Sequence, residues 1–188
     1  MRLIKMLLVA FGMMATMAVA QTPPAPAAPP APDPQNLWHL QLSTGEVVIL
    51  LRPDKAPQHV ERIKTLTRAG FYDGLTFHRV IAGFMAQTGD PKGTGEGDSP
   101  LPNLKAEFND LPHLRGTVSM ARAEAEDSAN SQFFICFQPT IRLDGKYTAF
   151  GRVVSGIQFV DAIPPGQGEN GAVTGERQKI VHAWIEAD

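Results

Sequence analysis

A chain of 188 residues, 43% hydrophobic and 19% charged, has room for one domain of ordinary size with a real core. Its formal charge of −2 and the lack of any basic block argue against nucleic acid as a partner. The single cysteine, Cys136, rules out an intramolecular disulfide; set in Phe-Phe-Ile-Cys-Phe, it reads as a small buried core residue rather than a reactive thiol.

Arg2 and Lys5 precede an uncharged, mostly apolar run over 6–20 that ends Ala18-Val19-Ala20. That order of positive start, apolar run and small-x-small end predicts a secretory signal cleaved after Ala20, with a mature chain from Gln21. The run is short of the roughly 20 residues a membrane span needs, and no cysteine follows it to carry a lipid, so release is expected rather than stable membrane insertion. Without Arg2 and Lys5, the remaining 15 basic and 19 acidic residues leave a charge of −4. Residues 21–36 hold seven prolines among alanines, an extended linker. No basic or aromatic anchors flank it, so a spacer is favoured over a proline-rich ligand.

The globular part is expected over 37–188. Trp38, Leu40 and Leu42 alternate with His39 and Gln41, a half-buried strand. A turn at Ser43-Thr44-Gly45 leads to a returning strand at 47–51. A helix over about 57–69 is expected, entered at Asp54 or Lys55, with Val60, Ile63, Leu66 and Thr67 on one face and Gly70 at its end. Short strands follow at 75–81, 84–90, 116–122, 132–137 and 150–154. A short helix at about 157–162 is stopped by Pro164-Pro165, and a last strand spans 178–186, with Ile180, His182 and Trp184 alternating with Val181, Ala183 and Ile185. Many short strands with two helices predict a mainly β fold, a closed antiparallel barrel.

Two runs carry the chemistry. Residues 77–90 place a permanent cation, Arg79, among large apolar residues with one amide, Gln87; residues 131–136 add Gln132 beside Phe133 and Phe134. The first run offers no acid/base pair, no nucleophile and no metal cluster. That mixture suits a reaction that breaks no covalent bond but redistributes charge in an amide, and rotation about an X-Pro bond is such a reaction. Strand alternation puts Phe133 in the core and Phe134 away from it. His78 reads as a buried, hydrogen-bonded histidine rather than a catalyst. The glycine-rich stretch 93–97 lacks the Gly-Lys-Ser/Thr end of a phosphate loop and reads as a flexible turn. Neither Gly-x-Ser-x-Gly nor His-Glu-x-x-His occurs, and the five histidines show no ligand spacing, so no metal and no cofactor are expected.

At these residues the chain resembles the cyclophilin family of peptidyl-prolyl cis-trans isomerases. The matching blocks, in family order, are Phe71-Tyr72-Asp73-Gly74, Phe77-His78-Arg79-Val80-Ile81, Gly83-Phe84-Met85-Ala86-Gln87-Thr88-Gly89-Asp90, Gly116-Thr117-Val118-Ser119-Met120-Ala121, Ser131-Gln132-Phe133-Phe134-Ile135, and Leu143-Asp144-Gly145-Lys146 followed by Phe150-Gly151. The resemblance implies a mainly β fold, a closed eight-stranded antiparallel β-barrel capped by two α-helices, and that Arg79 is catalytic. It implies a proline pocket of Phe84, Met85, Phe134 and Leu143, substrate-backbone contacts from Gln87 and from the main chain of Ala121 and Arg122, and Gln132 and Tyr147 at the site. Tyr147 stands where the family often has histidine, a change associated with bacterial members. Arg142 stands where animal members carry tryptophan, which implies weak binding of cyclosporin. The loop over 122–130, with Glu124, Glu126 and Asp127, is more acidic than the animal pattern. The partners implied are proline-containing peptides and unfolded exported proteins, met by a monomer in the bacterial periplasm. The alternative function is a proline-peptide binding module or periplasmic chaperone with little turnover.

Overall fold

The structure, a computed structural model, describes residues 31–188; the expected signal at 1–20 and the 21–36 segment up to residue 30 lie outside the described residues. The last part of that segment is folded. Pro34–Asn36 form a 3-10 turn whose N-terminal residue Asp33 accepts the Gln35 N–H at 2.9 Å.

The expected alternation is realised in β1 (Leu37–Leu42) and β2 (Gly45–Leu51), which pair antiparallel and bury Trp38, Leu40, Leu42, Val47, Ile49 and Leu51. Helix α1 (Pro57–Arg68) follows. Neither Asp54 nor Lys55 caps it: the residue before it is Ala56, and Glu107, far along the chain, accepts the N–H groups of Gln58 and His59 instead, at 3.1 Å. A carboxylate supplied from another segment does what a local cap would do, satisfying free donors at the positive end of the helix. At the other end Phe71 N–H bonds to Leu66 C=O and Gly70 N–H to Thr67 C=O, both at 2.9 Å, with Gly70 at φ +68°. That pair of bonds is the Schellman termination, and its left-handed residue favours glycine.

The remaining strands are β3 (Arg79–Ile81), β4 (Met85–Thr88), β5 (Thr117–Met120), β6 (Phe133–Cys136), β7 (Ala149–Ser155) and β8 (Ile180–Ile185), with helix α2 (Ile157–Asp161) between the last two. They form one antiparallel sheet in the order β3-β4-β6-β5-β7-β2-β1-β8. Register shifts in the β1–β8, β2–β7 and β5–β7 pairs bend it, as inserted residues do in any ladder. α1 lies against β8 and α2 against β2.

Two expectations are corrected here. The sheet curls but does not close as a barrel: β3 and β8 end the order and do not pair. The expected strand at 75–81 keeps only three strand residues, and the seam holds one isolated bridge, Thr76 to Lys179, with bonds such as Phe77 N–H to Gln178 C=O at 3.0 Å. The free edge of β3 is covered instead by the segment after α2, through Val80 N–H to Gly171 C=O and Gly166 N–H to Val80 C=O. In β8 the simple alternation fails. Leu42 faces Ile180 while Gln41 faces His182, so Val181 is an extra residue, and both Val181 and His182 are exposed.

The main core fills the inside of the curl around edge-on aromatic pairs: Trp38 with Phe133 at 5.0 Å and with Tyr72 at 5.4 Å, and Phe133 with Phe150 at 6.4 Å. Tyr72 satisfies its buried hydroxyl on the Ser131 carbonyl at 3.1 Å. α1 presents two polar side chains inward that its apolar spacing does not reveal. Arg62 bonds the carbonyl of Pro102 at 2.7 Å, and His59 pairs with Glu107 at 2.7 Å.

Burial pushes His59 below the ordinary histidine range, against the pull of Glu107, and pushes His78 the same way. A histidine with a depressed folded-state pKa contributes stability that is present above about pH 6.5 and lost as pH falls through the folded value. The thermal midpoint should therefore drop between roughly pH 7.5 and pH 5, with part of the drop removed in His59→Gln. A midpoint that holds or rises over that range would contradict this.

Candidate active site

Strand alternation sorts the residues of β3, β4, β6 and β5 into rows. Val80, Ala86, Ile135 and Val118 are cross-strand partners in turn, and all belong to the main core. The neighbouring row, on the opposite face, is Arg79, Gln87, Phe134 and Ser119. Two residues along on that face come Ile81, Met85 and Cys136. Met85, Phe134, Cys136 and Leu143 make a second, smaller apolar cluster, with Ile81, Phe84, Ala121 and Tyr147 packed on it. Burial pushes the Cys136 thiol up to about 12, so it stays protonated and inert as the sequence suggested.

A groove of about 580 Å³ lies over this cluster. It gathers nine of the ten residues singled out from the sequence: Arg79, Phe84, Met85, Gln87, Ala121, Arg122, Phe134, Leu143 and Tyr147. Gln132 stands one layer back, buried behind Gln87 and opening on an adjoining cavity of about 280 Å³ beside Asp98 and Ser128.

Arg79 is held by a directed chain of bonds. Its Nε donates to the Asn170 carbonyl at 2.9 Å and to Asn170 Oδ1 at 3.1 Å, and Nη1 donates to Gln87 Oε1 at 3.1 Å. Gln87 Nε2 donates to Gln132 Oε1 at 2.9 Å, and Gln132 Nε2 donates to the carbonyls of Gly95 and Gly97 at 3.1 and 2.9 Å. The two ends fix every direction between them: carbonyls only accept and a guanidinium only donates, so both amides have one usable orientation. Nη2 of Arg79 bonds no described residue. Unlike Arg52, Arg68 and Arg115, each paired with an aspartate, Arg79 meets no carboxylate among the described residues. Burial lowers its pKa, yet arginine keeps its charge.

The glycine-rich turn is anchored rather than loose. The buried Asp90 carboxylate accepts the N–H groups of Lys92, Thr94 and Gly95 at 2.7, 2.8 and 2.6 Å. Burial alone would raise that carboxyl; the backbone donors outweigh it and hold it below the usual carboxylate range.

Behind the apolar wall, His113 stacks on Phe134 with centroids 6.2 Å apart. Its Nδ1 meets Asp144 at 2.8 Å and its Nε2 meets Ser119 Oγ at 3.0 Å. Phe134 and Tyr147 meet edge to face at 5.8 Å. The Arg122 side chain bonds the carbonyls of Lys146, Ala123 and Glu124 and lies 4.8 Å over the Tyr147 ring. The Ala121 N–H is already given to the Gln132 carbonyl at 2.9 Å, while the Ala121 carbonyl accepts from no described residue.

His78 departs from its expected state. It is buried in the groove wall, but neither ring nitrogen bonds a described residue, and burial keeps it neutral. The sequence also left Asn170 and His113 unassigned. Asn170 sits in a loop 91 residues from Arg79, and no local pattern links the two. No three His, Cys, Asp or Glu side chains converge as metal ligands among the described residues.

Residues 37–184 match the family model described as cyclophilin type peptidyl-prolyl cis-trans isomerase/CLD. A probable peptidyl-prolyl cis-trans isomerase of Brucella suis is 51% identical over 170 residues, 84% of this chain and 86% of that protein. A peptidyl-prolyl cis-trans isomerase of Synechococcus elongatus is 48% identical over 113 residues, 60% of this chain and 77% of that one. Among solved structures, the cyclophilin AquaCyp293 of Hirschia baltica superposes with a TM-score of 0.74 at 28% identity, over 84% of this chain and 76% of that one. A cyclophilin type peptidyl-prolyl cis-trans isomerase of Cryptosporidium parvum, solved in the presence of the dipeptide Ala-Pro, gives 0.72 at 26% identity, over 79% and 98% of the two chains.

The bond chain makes a prediction of its own. Gln132→Ala should leave the protein folded but release the Gln87 amide, whose side-chain N–H signals should lose protection from hydrogen exchange and move toward the positions of a solvated amide. An unchanged Gln87 amide would show that Gln132 does not orient it.

Proposed function

The chain belongs to the cyclophilin-type peptidyl-prolyl cis-trans isomerases, and from that premise we propose how its own groove accelerates X-Pro rotation and where it does so. The activity itself is peptidyl-prolyl cis-trans isomerisation on proline-containing peptides. The observation that carries the mechanism is the state of Arg79: a cation fixed by Asn170 and Gln87, free of any described carboxylate, at the edge of an apolar pocket.

Resonance stiffens the peptide C–N bond, and rotation costs about 18–20 kcal/mol. The two X-Pro ground states differ by only about 0.5–1 kcal/mol, so a catalyst has only to stabilise the twisted amide more than either planar form. Phe84, Met85, Phe134 and Leu143 grip the proline ring. Ala121 and Gln87 align the backbone around it. As the bond twists, the lone pair returns to the proline nitrogen, and the uncommitted side of the Arg79 guanidinium donates to it and holds the proline carbonyl. The apolar wall excludes water and strengthens that interaction. Because Asn170 and Gln87 hold the guanidinium beforehand, little reorganisation is spent at the moment of rotation. No proton changes hands, so Arg79 needs charge and position rather than a tuned pKa.

Export follows from the pattern of residues 1–20: the proposed place of action is the bacterial periplasm, on unfolded exported proteins, as a monomer released by cleavage after Ala20. Arg142 at the rim supports weak cyclosporin binding.

Two measurements test these readings. In exchange NMR on an Ala-Pro peptide, Arg79→Ala should lower kcat/KM by about a hundredfold or more, the scale of losing one preorganised donor. Wild-type turnover that survives the substitution would remove Arg79 from the mechanism, and tight peptide binding without turnover would favour a holding role. Expressed with its own N-terminus in a Gram-negative host, the protein should appear in the periplasmic fraction beginning at Gln21; an intact Met1 in the cytoplasm would end the export reading.

A further inference from the structure

The groove carries a charge that the chain as a whole does not. The protein is net negative, yet the groove is lined by three arginines, Arg79, Arg122 and Arg142, against one acid, Glu96. Two of the three are committed. Arg79 spends its Nε and Nη1 on Asn170 and Gln87, and Arg122 spends its donors on the carbonyls of Lys146, Ala123 and Glu124. Arg142 bonds no described residue. It is exposed, yet it is not adrift: its Cζ lies 4.8 Å from the centre of the Phe84 ring, on the wall of the apolar pocket.

A guanidinium resting on an aromatic face is oriented by that contact while its N–H groups stay available in its own plane. Five donors with no protein acceptor, held beside the pocket that takes the proline ring, form half of a carboxylate site. The other acids close to Arg142 are accounted for. Asp144, two residues along, accepts from the backbone and ring of His113 at 2.8 Å. Glu96, the one acid of the groove, also lines the adjoining cavity with Asp98 and forms no ion pair with Arg142.

We propose that Arg142 is a specificity residue that selects substrates with a carboxylate side chain close to the isomerised proline. The inference rests on the isomerase reading of the same groove and adds the class of segment it prefers. Arg142 acts by attraction at the pocket rim and does not touch the rotating bond. An exposed ion pair contributes modestly, so the preference is a bias among peptides rather than an absolute requirement.

The test is a set of peptides with a common Ala-Pro core flanked by Glu, Gln or Lys, measured for kcat/KM by exchange NMR and for Kd by chemical-shift titration. The wild type should favour Glu over Lys by about fivefold at low salt, and that ratio should shrink toward one in about 0.5 M salt. Arg142→Ala should abolish the ratio and Arg142→Glu should invert it, in Kd as well as in kcat/KM. The same Glu-to-Lys ratio in wild type and Arg142→Glu would overturn the proposal. Failure of the isomerase reading would look different: no acceleration even of the neutral Gln peptide, with the Kd ratios still reporting on Arg142.

Discussion

Everything in the groove depends on one polarity, set where the Gly95 and Gly97 carbonyls meet Gln132. A backbone carbonyl cannot donate, so the Gln132 amide must turn its nitrogen there and its oxygen to Gln87. Gln87 must in turn present its oxygen to Arg79. Two side chains that could each flip freely in water are thereby reduced to one state. The carbonyls stay in place because Asp90 collects the N–H groups of the same turn. A buried carboxylate satisfied by several backbone donors is costly to disturb, and that cost keeps a guanidinium in position three bonds away.

The division between the two faces of the sheet is the second constraint. Because side chains alternate, residues one apart in β3, β4 and β6 serve different ends: Val80, Ala86 and Ile135 build the core, while Arg79, Gln87 and Phe134 build the groove. A one-residue slip in the β4–β6 register would put the arginine row into the core and the aliphatic row into the groove. The packing of Trp38, Tyr72, Phe133 and Phe150 on the inner face therefore holds the active face in register, although none of the four lines the groove.

Much of this was legible in the chain. Period-two alternation located β1 and separated Phe133 from Phe134 in β6, because a half-buried strand writes its faces directly into sequence. The run around Arg79 announced its chemistry because a lone cation among aromatics needs a reason to be there. What stayed hidden was held by distant partners. Glu107 capping α1, Asn170 supporting Arg79 and the covering of the β3 edge by the segment after α2 all join residues far apart, and no local pattern encodes them. The closed barrel was over-read for a related reason. Seven residues of strand-like composition at 75–81 supply only three strand residues, since pairing, not propensity, decides where a strand begins. The unbonded ring of His78 was equally beyond a sequence reading, because its surroundings come from the groove wall and the turn above it.

The same separation of faces explains how the fold tolerates an active site. A cation part-way into an apolar surface, with no carboxylate beside it, is a local loss, and so is a neutral His78 with both ring nitrogens unmet. Both lie on the outer face or its rim, while the largest fully buried aromatic side chains lie on the inner one. Both groups lie on or beside β3, a three-residue strand at the end of the sheet order, where there is little ladder to disrupt. Removing the Arg79 charge would therefore relieve desolvation at the cost of the cation that the outer row holds in place. The fold tolerates such a groove because the core on the inner face is large enough to offset local losses on the outer one.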